Sequence, residues 1–154
     1  MDCYTAALTL LSRRELSIRQ LRDRLVRRKF SADDIDPVIA RLTQDGTLDD
    51  RRVARASARL GVVIKRRGRR RVLQEVKQLG IAAATAKEAV DDVFAEIDEL
   101  ALLDRAIERR LKGVAAADLD RHGRARVVRS LVGQGFDASQ VYARLRVRGA
   151  ERDE

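Results

Sequence analysis

Apolar residues recur along this chain at the spacing of helices, and almost nowhere at the alternation of strands. Tyr4, Ala7, Leu8 and Leu11 fall on one side of a helix predicted over 4–13. Ser17 and Gln20 have the capping-box form, in which the hydroxyl accepts the third helical N–H and the amide side chain reaches back to the cap's own N–H. A second helix is predicted there, with Ile18, Leu21 and Leu25 on one face. Ser31 opens a third helix, which carries Ile35, Val38, Ile39 and Leu42 and closes near Gly46. Pro37 has no N–H to donate. The spacing therefore predicts either Asp36 as cap with Pro37 as first helical residue, or an irregular opening turn.

The same pattern returns twice. Leu21 and Leu25 stand nine and five residues before Phe30, and Ile35 and Ile39 five and nine after it. A shift of 51 gives Val72, Val76, Ala86 and Val90 about Ile81, and a further 55 gives Val127, Leu131, Val141 and Leu145 about Phe136. A repeat of roughly 50 residues marks stacked helical units. Gly80 and Gly135 precede two of the anchors, as where a left-handed glycine ends a helix and an apolar residue tucks in behind it. Lys29 takes that place in the first copy, which predicts strain or a different turn. Asp137 and Gln140 restate the capping box in the third.

Leading helices over 4–13, 50–60 and 98–111 complete the three units. In the last two, Val53, Ala56, Ser57 and Leu60, then Leu100, Leu103, Ile107 and Leu111, are expected to face inward. So small a unit buries little surface alone, and its neighbours must stack on it. The expected fold is all-α: three tandem three-helix repeats, over 1–49, 50–97 and 98–150, in an elongated, curved array.

Composition agrees with helices. Hydrophobic residues make up 45% of the chain, but three Phe, two Tyr and no Trp leave the core to aliphatic side chains. Cys3, the one cysteine, excludes an internal disulfide and reads as a small apolar residue in a reducing compartment. No apolar run is long enough to span a membrane, and the opening residues lack the basic start of a secretory signal, so a cytoplasmic monomer is expected.

Charge changes the picture more. The net charge is +9, and from Arg51 to Arg71 there are ten Lys or Arg residues and no carboxylate. A helix over 50–60 would throw Arg51, Arg55 and Arg59 onto one outward stripe. Lys65, Arg66 and Arg67 would follow in a turn, and Arg70 and Arg71 on the next helix. These eight are the candidate binding residues for nucleic-acid phosphate or an acidic protein surface. The alternative is internal neutralisation by Glu88, Asp91, Asp92, Glu96, Asp98, Glu99 and Asp104, a stretch with no basic residue. Arg19, Asp23 and Arg27, alternating in sign four apart, read as an internally paired face. With so few aromatics to stack bases, direct nucleic-acid binding should be phosphate-led, weak and tolerant of sequence.

Nothing in the chain predicts catalysis. There is no phosphate loop, zinc spacing or nucleophile motif, and His122 reads as an exposed residue near a helix start. Asp33, Asp34, Asp49 and Asp50 sit where helix starts want acids. No enzyme activity, cofactor or metal is expected.

Several of these residues, taken in order and spacing, resemble the RecX family. They are Leu10 to Glu15; Leu21 to Leu25; Gly46 to Asp50 with Ala54 and Arg55; and Gly68 with Val72 to Val76, leading to Gly80 and Ile81. The resemblance spans nearly the whole chain, with Val53 where the family usually has Phe and Arg69 where it often has Pro. It implies a three-repeat helical fold. It also implies a non-enzymatic modulator that binds the RecA recombinase filament on DNA and restrains its extension, ATP hydrolysis and strand exchange. Two rivals come from other classes. One is a helix-turn-helix DNA regulator reading with residues 32–43, where Asp33, Asp34 and Asp36 would repel DNA. The other is a helical protein-binding scaffold.

Overall fold

The helix caps set the architecture before any packing does. In the computed structural model, which describes residues 1–151, the Ser17 Oγ accepts the Gln20 N–H at 3.1 Å while the Gln20 side chain accepts the Ser17 N–H at 3.0 Å. The predicted reciprocal box thus starts α2 (Ile18–Arg27), after α1 (Cys3–Arg13). Asp49 caps α4 (Asp50–Val63), Asp98 caps α7 (Glu99–Leu111) and Asp120 caps α8 (Arg121–Gly133). Asp137 caps α9 (Ala138–Ala150) through the Gln140 N–H, but the return bond from the Gln140 side chain is not made. Only half of the predicted second box forms. The remaining helices are α3 (Ala32–Gln44), α5 (Arg69–Gln78) and α6 (Ala83–Ala95). No strand occurs among the described residues, and none of their helices is long and apolar enough to cross a membrane.

The cap of α3 differs from the first alternative read from the sequence. Ser31, not Asp36, caps it, because its hydroxyl takes the Asp34 N–H at 3.2 Å. Pro37 therefore sits inside the helix, where it leaves the Asp33 carbonyl without its usual donor.

Each helix packs on the other two of its triplet, α1–α3, α4–α6 and α7–α9. All twelve positions that flank the three anchors are buried. Ile81 and Phe136 are buried as well, while Phe30 is half-buried. The residue before each anchor is left-handed in all three copies. Lys29 has φ 72°, Gly80 φ 80° and Gly135 φ 104°. The Phe30 and Phe136 N–H groups reach back to the Leu25 and Leu131 carbonyls at 3.3 and 3.1 Å. Lys29 thus adopts a left-handed conformation that the other copies give to glycine.

The middle helices stack end to end. The Ser17 Oγ, fully buried at the start of α2, donates to the Leu79 carbonyl at the end of α5 (2.5 Å). At the equivalent joint the Gly68 N–H, at the start of α5, donates to the Gln134 carbonyl at the end of α8 (2.8 Å), and the Arg70 N–H donates to Gly135 (3.2 Å). N-terminal donors of one helix thus satisfy C-terminal carbonyls of the next, and the helix dipoles align head to tail. A Cβ on Gly68 would lie 2.5 Å from the Gly135 carbonyl carbon, so this joint depends on glycine.

The two joints differ in their cores. The buried apolar residues of α4–α9 form one continuous cluster, whereas those of α1–α3 with Leu48 form their own. The array is extended. Its accessible surface is 9647 Å², against about 7,800 Å² for a globular monomer of 17.3 kDa.

Two inward faces differ from those the apolar spacing predicts. In α4 the buried residues are Val53, Ala54, Ala58, Gly61 and Val62, while Ala56 and Leu60 are exposed and Ser57 half-buried. Small side chains let α4 lie close along α6, and Gly61 leaves room for Val72. In α7, Leu103, Ile107 and Leu111 are buried as expected, but Leu100 is exposed and Leu102 and Ala106 take its place.

Candidate anion-binding face

The carboxylate-free run from Arg51 to Arg71 fills α4, the turn after it and the start of α5. Its cations meet carboxylates brought in from elsewhere. Arg55 lies 3.4 Å from Asp92 on α6 and Arg59 3.9 Å from Glu96 at the end of that helix, with roughly half of each side chain in solvent. Arg69 is held more firmly. It reaches Asp91 and Glu99 at 2.6 Å each and lies over the Phe94 ring at 4.9 Å.

One neutraliser was missed in the sequence. Glu75, on α5, takes Arg67 and Arg71 at 3.2 Å and Lys65 at 3.7 Å, and its side chain is only 19% exposed. A single carboxylate thus ties together the turn and the helix after it. The Arg67 Nε approaches it without hydrogen-bond geometry and has no other partner.

The eight candidates therefore do not form one uniform patch. Arg55 and Arg59 sit beside α6, and Lys65, Arg67 and Arg71 gather on Glu75. Arg51, Arg66 and Arg70 are exposed and form no ion pair among the described residues. Arg66 and Arg70 line two crevices that share Leu102, one toward α7 and one toward α9. In the second crevice the positive charge of Arg70 helps hold the Asp137 carboxyl below its usual range, after the hydrogen bonds from Ser139 and Gln140.

Elsewhere, the pairing expected among Arg19, Asp23 and Arg27 is not made. Arg22 instead reaches Asp36 on α3 at 2.6 Å, because α2 turns that side of its surface toward α3. Arg52, placed in no role from the sequence, pairs with Glu15 and donates to the Gly46 and Thr47 carbonyls, so it binds the first unit to the second. His122 is exposed in the first turn of α8. Cys3 is buried and unpaired, and its burial, then the Asp34 and Asp2 charges, push the thiol pKa up.

The acidic stretch has a second role in the third unit. Asp104 accepts two hydrogen bonds from Arg144, at 2.9 and 2.7 Å, and Glu108 pairs with Arg148 at 3.2 Å. The Arg144 bonds hold the Asp104 carboxyl below the usual carboxylate range. A depressed folded-state pKa contributes stability above the group's ordinary value near 4, and that contribution is lost as pH falls through the folded value. Asp104→Asn is therefore expected to lower stability at neutral pH and to converge with the parent in acid. Urea unfolding at a series of pH values measures this, and a gap that stays constant into acid would contradict it.

Comparisons with known proteins place this geometry in context. The profile of the RecX first three-helix domain matches residues 3–42. The chain is similar to the regulatory protein RecX of Halorhodospira halophila, with 38% identity over 90% of this chain and 83% of that one. It is similar also to RecX of Syntrophotalea carbinolica, with 29% identity over 92% of both chains. A crystal structure of regulatory protein RecX superposes with a TM-score of 0.80 at 19% identity, covering 94% of this chain and 70% of that one. RecX from Lactobacillus salivarius gives 0.77, also at 19%, covering 94% and 95%.

Proposed function

Because the chain belongs to the RecX family of regulatory proteins, we propose that it binds the RecA recombinase filament on DNA and restrains filament extension, ATP hydrolysis and strand exchange. One observation carries the choice of surface. Ten cations are concentrated with no carboxylate among them in the sequence, and after the pairings the fold supplies, Arg51, Arg66 and Arg70 remain without one among the described residues. The pairs of Arg55 and Arg59 are exposed, so each is worth about 0–1 kcal/mol, little enough for a partner's anions to displace.

Restraint by such a protein is mechanical and electrostatic. A monomer whose three units (1–49, 50–97 and 98–150) stack along one axis contacts several protomers of a repeating filament at once, and the second and third contacts form at high effective concentration. Cations spread along the strip steer it to an acidic surface or to DNA phosphate. A filament bridged in this way loses the freedom to extend and to cycle through the states that ATP hydrolysis requires. These events belong to the bacterial cytoplasm. By itself the protein meets DNA weakly, without preference for sequence and with steep salt dependence.

The helix-turn-helix reading fits less well. The first turn of α3 holds Asp33 and Asp34, and its Asp36 is already paired with Arg22, so the end that would enter a groove is acidic. Retention of recombinase on the immobilised protein, with and without DNA, tests the proposal. Recombinase should be retained, and more of it when assembled on DNA. Retention of one duplex sequence and no recombinase would overturn it.

A further inference from the structure

Three guanidinium groups that form no ion pair among the described residues line one cleft outside the α4 stripe. Arg66 lies in the turn after α4, and Arg105 and Arg109 stand one helical turn apart on α7. All three are exposed at their outer ends and line one cleft of about 410 Å³. Neighbouring carboxylates on α7 do not neutralise them, since Asp104 and Glu108 turn to Arg144 and Arg148 on α9. Among the described residues Asp98 is the one carboxylate that lines the cleft, and it already accepts the Ala101 N–H as the cap of α7. Burial, then the charges of Arg66 and Arg105, push the Arg109 guanidinium below its ordinary pKa. Arg66 is also held at φ 56°, a conformation costly for any residue but glycine, and such strain tends to persist where a site uses it.

The floor of the cleft is different in kind. Val62, Ile97 and Leu102 supply an apolar surface under the three cations. A cationic rim over an apolar floor, in a volume suited to one small ligand, matches a group that is anionic at one end and flat and weakly polar at the other. Guanidinium forks pair with phosphate oxygens, and three of them offer more donors than one carboxylate can accept.

We propose that this cleft between the α4–α5 turn and α7 binds a nucleotide unit of a single nucleic-acid strand, its phosphates on Arg66, Arg105 and Arg109 and its sugar and base over Val62, Ile97 and Leu102. The base must be unpaired to reach the floor, which favours a single strand over a duplex. The site shares Arg66 with the cationic face proposed above, but its ligand binds without recombinase, so the two readings can fail separately.

Fluorescence anisotropy with a labelled oligothymidylate over a series of salt concentrations tests this. Arg105→Ala combined with Arg109→Ala should weaken binding about tenfold or more. It should also flatten the slope of log K against log salt by roughly 0.7 for each phosphate that is no longer neutralised. Asp98→Asn keeps a capping side chain and removes the carboxylate that lines the cleft, so it should bind more tightly than the parent. The Asn variant keeps the test decisive even if the double alanine variant folds poorly. Parent-like affinity and slope in the double variant, or no gain in Asp98→Asn, would overturn the site. Equal binding of a duplex of the same length would overturn the single-strand assignment. Displacement by thymidine monophosphate at concentrations matching the strand's own nucleotide units would assign the cleft to free nucleotide instead. The same variants assayed for recombinase retention report separately on the proposed function.

Discussion

Phe136→Ala is expected to destabilise the protein by roughly 3–5 kcal/mol, the usual cost of emptying an aromatic site in a packed core. Phe136 is 6% exposed and belongs to the continuous cluster that unites α4–α9. It also follows Gly135, whose backbone meets Gly68 at the joint between the second and third units. Its loss therefore opens the core and loosens the end-to-end contact of α5 and α8 together. The equivalent Phe30 is half-buried against a separate cluster, and Phe30→Ala should cost clearly less. Urea unfolding of both variants measures the two values. A change below about 1 kcal/mol for Phe136→Ala would mean that the anchor contributes no packing.

The anchors were legible because each sits at a fixed distance from two helices whose apolar residues are bulky. Leu21, Leu131, Ile35 and Val141 leave one choice of inward face. The faces of α4 and α7 were less legible for the opposite reason. Ala54, Ala58 and Gly61 carry almost no hydrophobic signal, yet they are buried because small residues allow α4 to approach α6 closely. Leu60, which does carry the signal, lies 47% exposed. Helical spacing finds large residues on one stripe, and close helix packing is made by small ones.

The site was legible only as a charge run. The run's boundaries came from the sequence, but its division among Glu75, α6 and the clefts depends on which helices meet. Glu75 escaped notice because it stands just beyond the run, four residues after Arg71, where it looks like one member of an ordinary helical pair. Arg105 and Arg109 were hidden by a locally balanced composition. A signal did exist, since Asp104 and Glu108 share one i,i+4 stripe of α7 and Arg105 and Arg109 the next. Opposite charges on adjacent stripes face different neighbours, and among the described residues the acidic stripe finds its counter-ions on α9 while the basic one finds none.

The second large effect concerns function. Reversing Arg51, Arg55, Arg59 and Arg70 to Glu changes the charge of the face by eight units while leaving the Arg66 cleft intact. The fold should survive. All four side chains are exposed, and the pairs removed at Arg55 and Arg59 are worth about 0–1 kcal/mol each. A glutamate at position 51, in the first turn of α4, also suits the helix dipole. Placing Glu opposite Asp92 and Glu96 adds repulsion of a few tenths of a kcal/mol at such exposed sites. Reversal of Arg19 and Arg27, exposed on the first unit and outside the run, is the matched control.

ATP hydrolysis by preformed recombinase filaments, measured against each variant after circular dichroism has shown equal helicity, is the direct measurement. The parent and the Arg19, Arg27 control should restrain hydrolysis, and the four-site reversal should leave it at the uninhibited rate. Restraint by the four-site variant as strong as the parent's would contradict the assignment of the α4–α5 face as the surface that meets the filament.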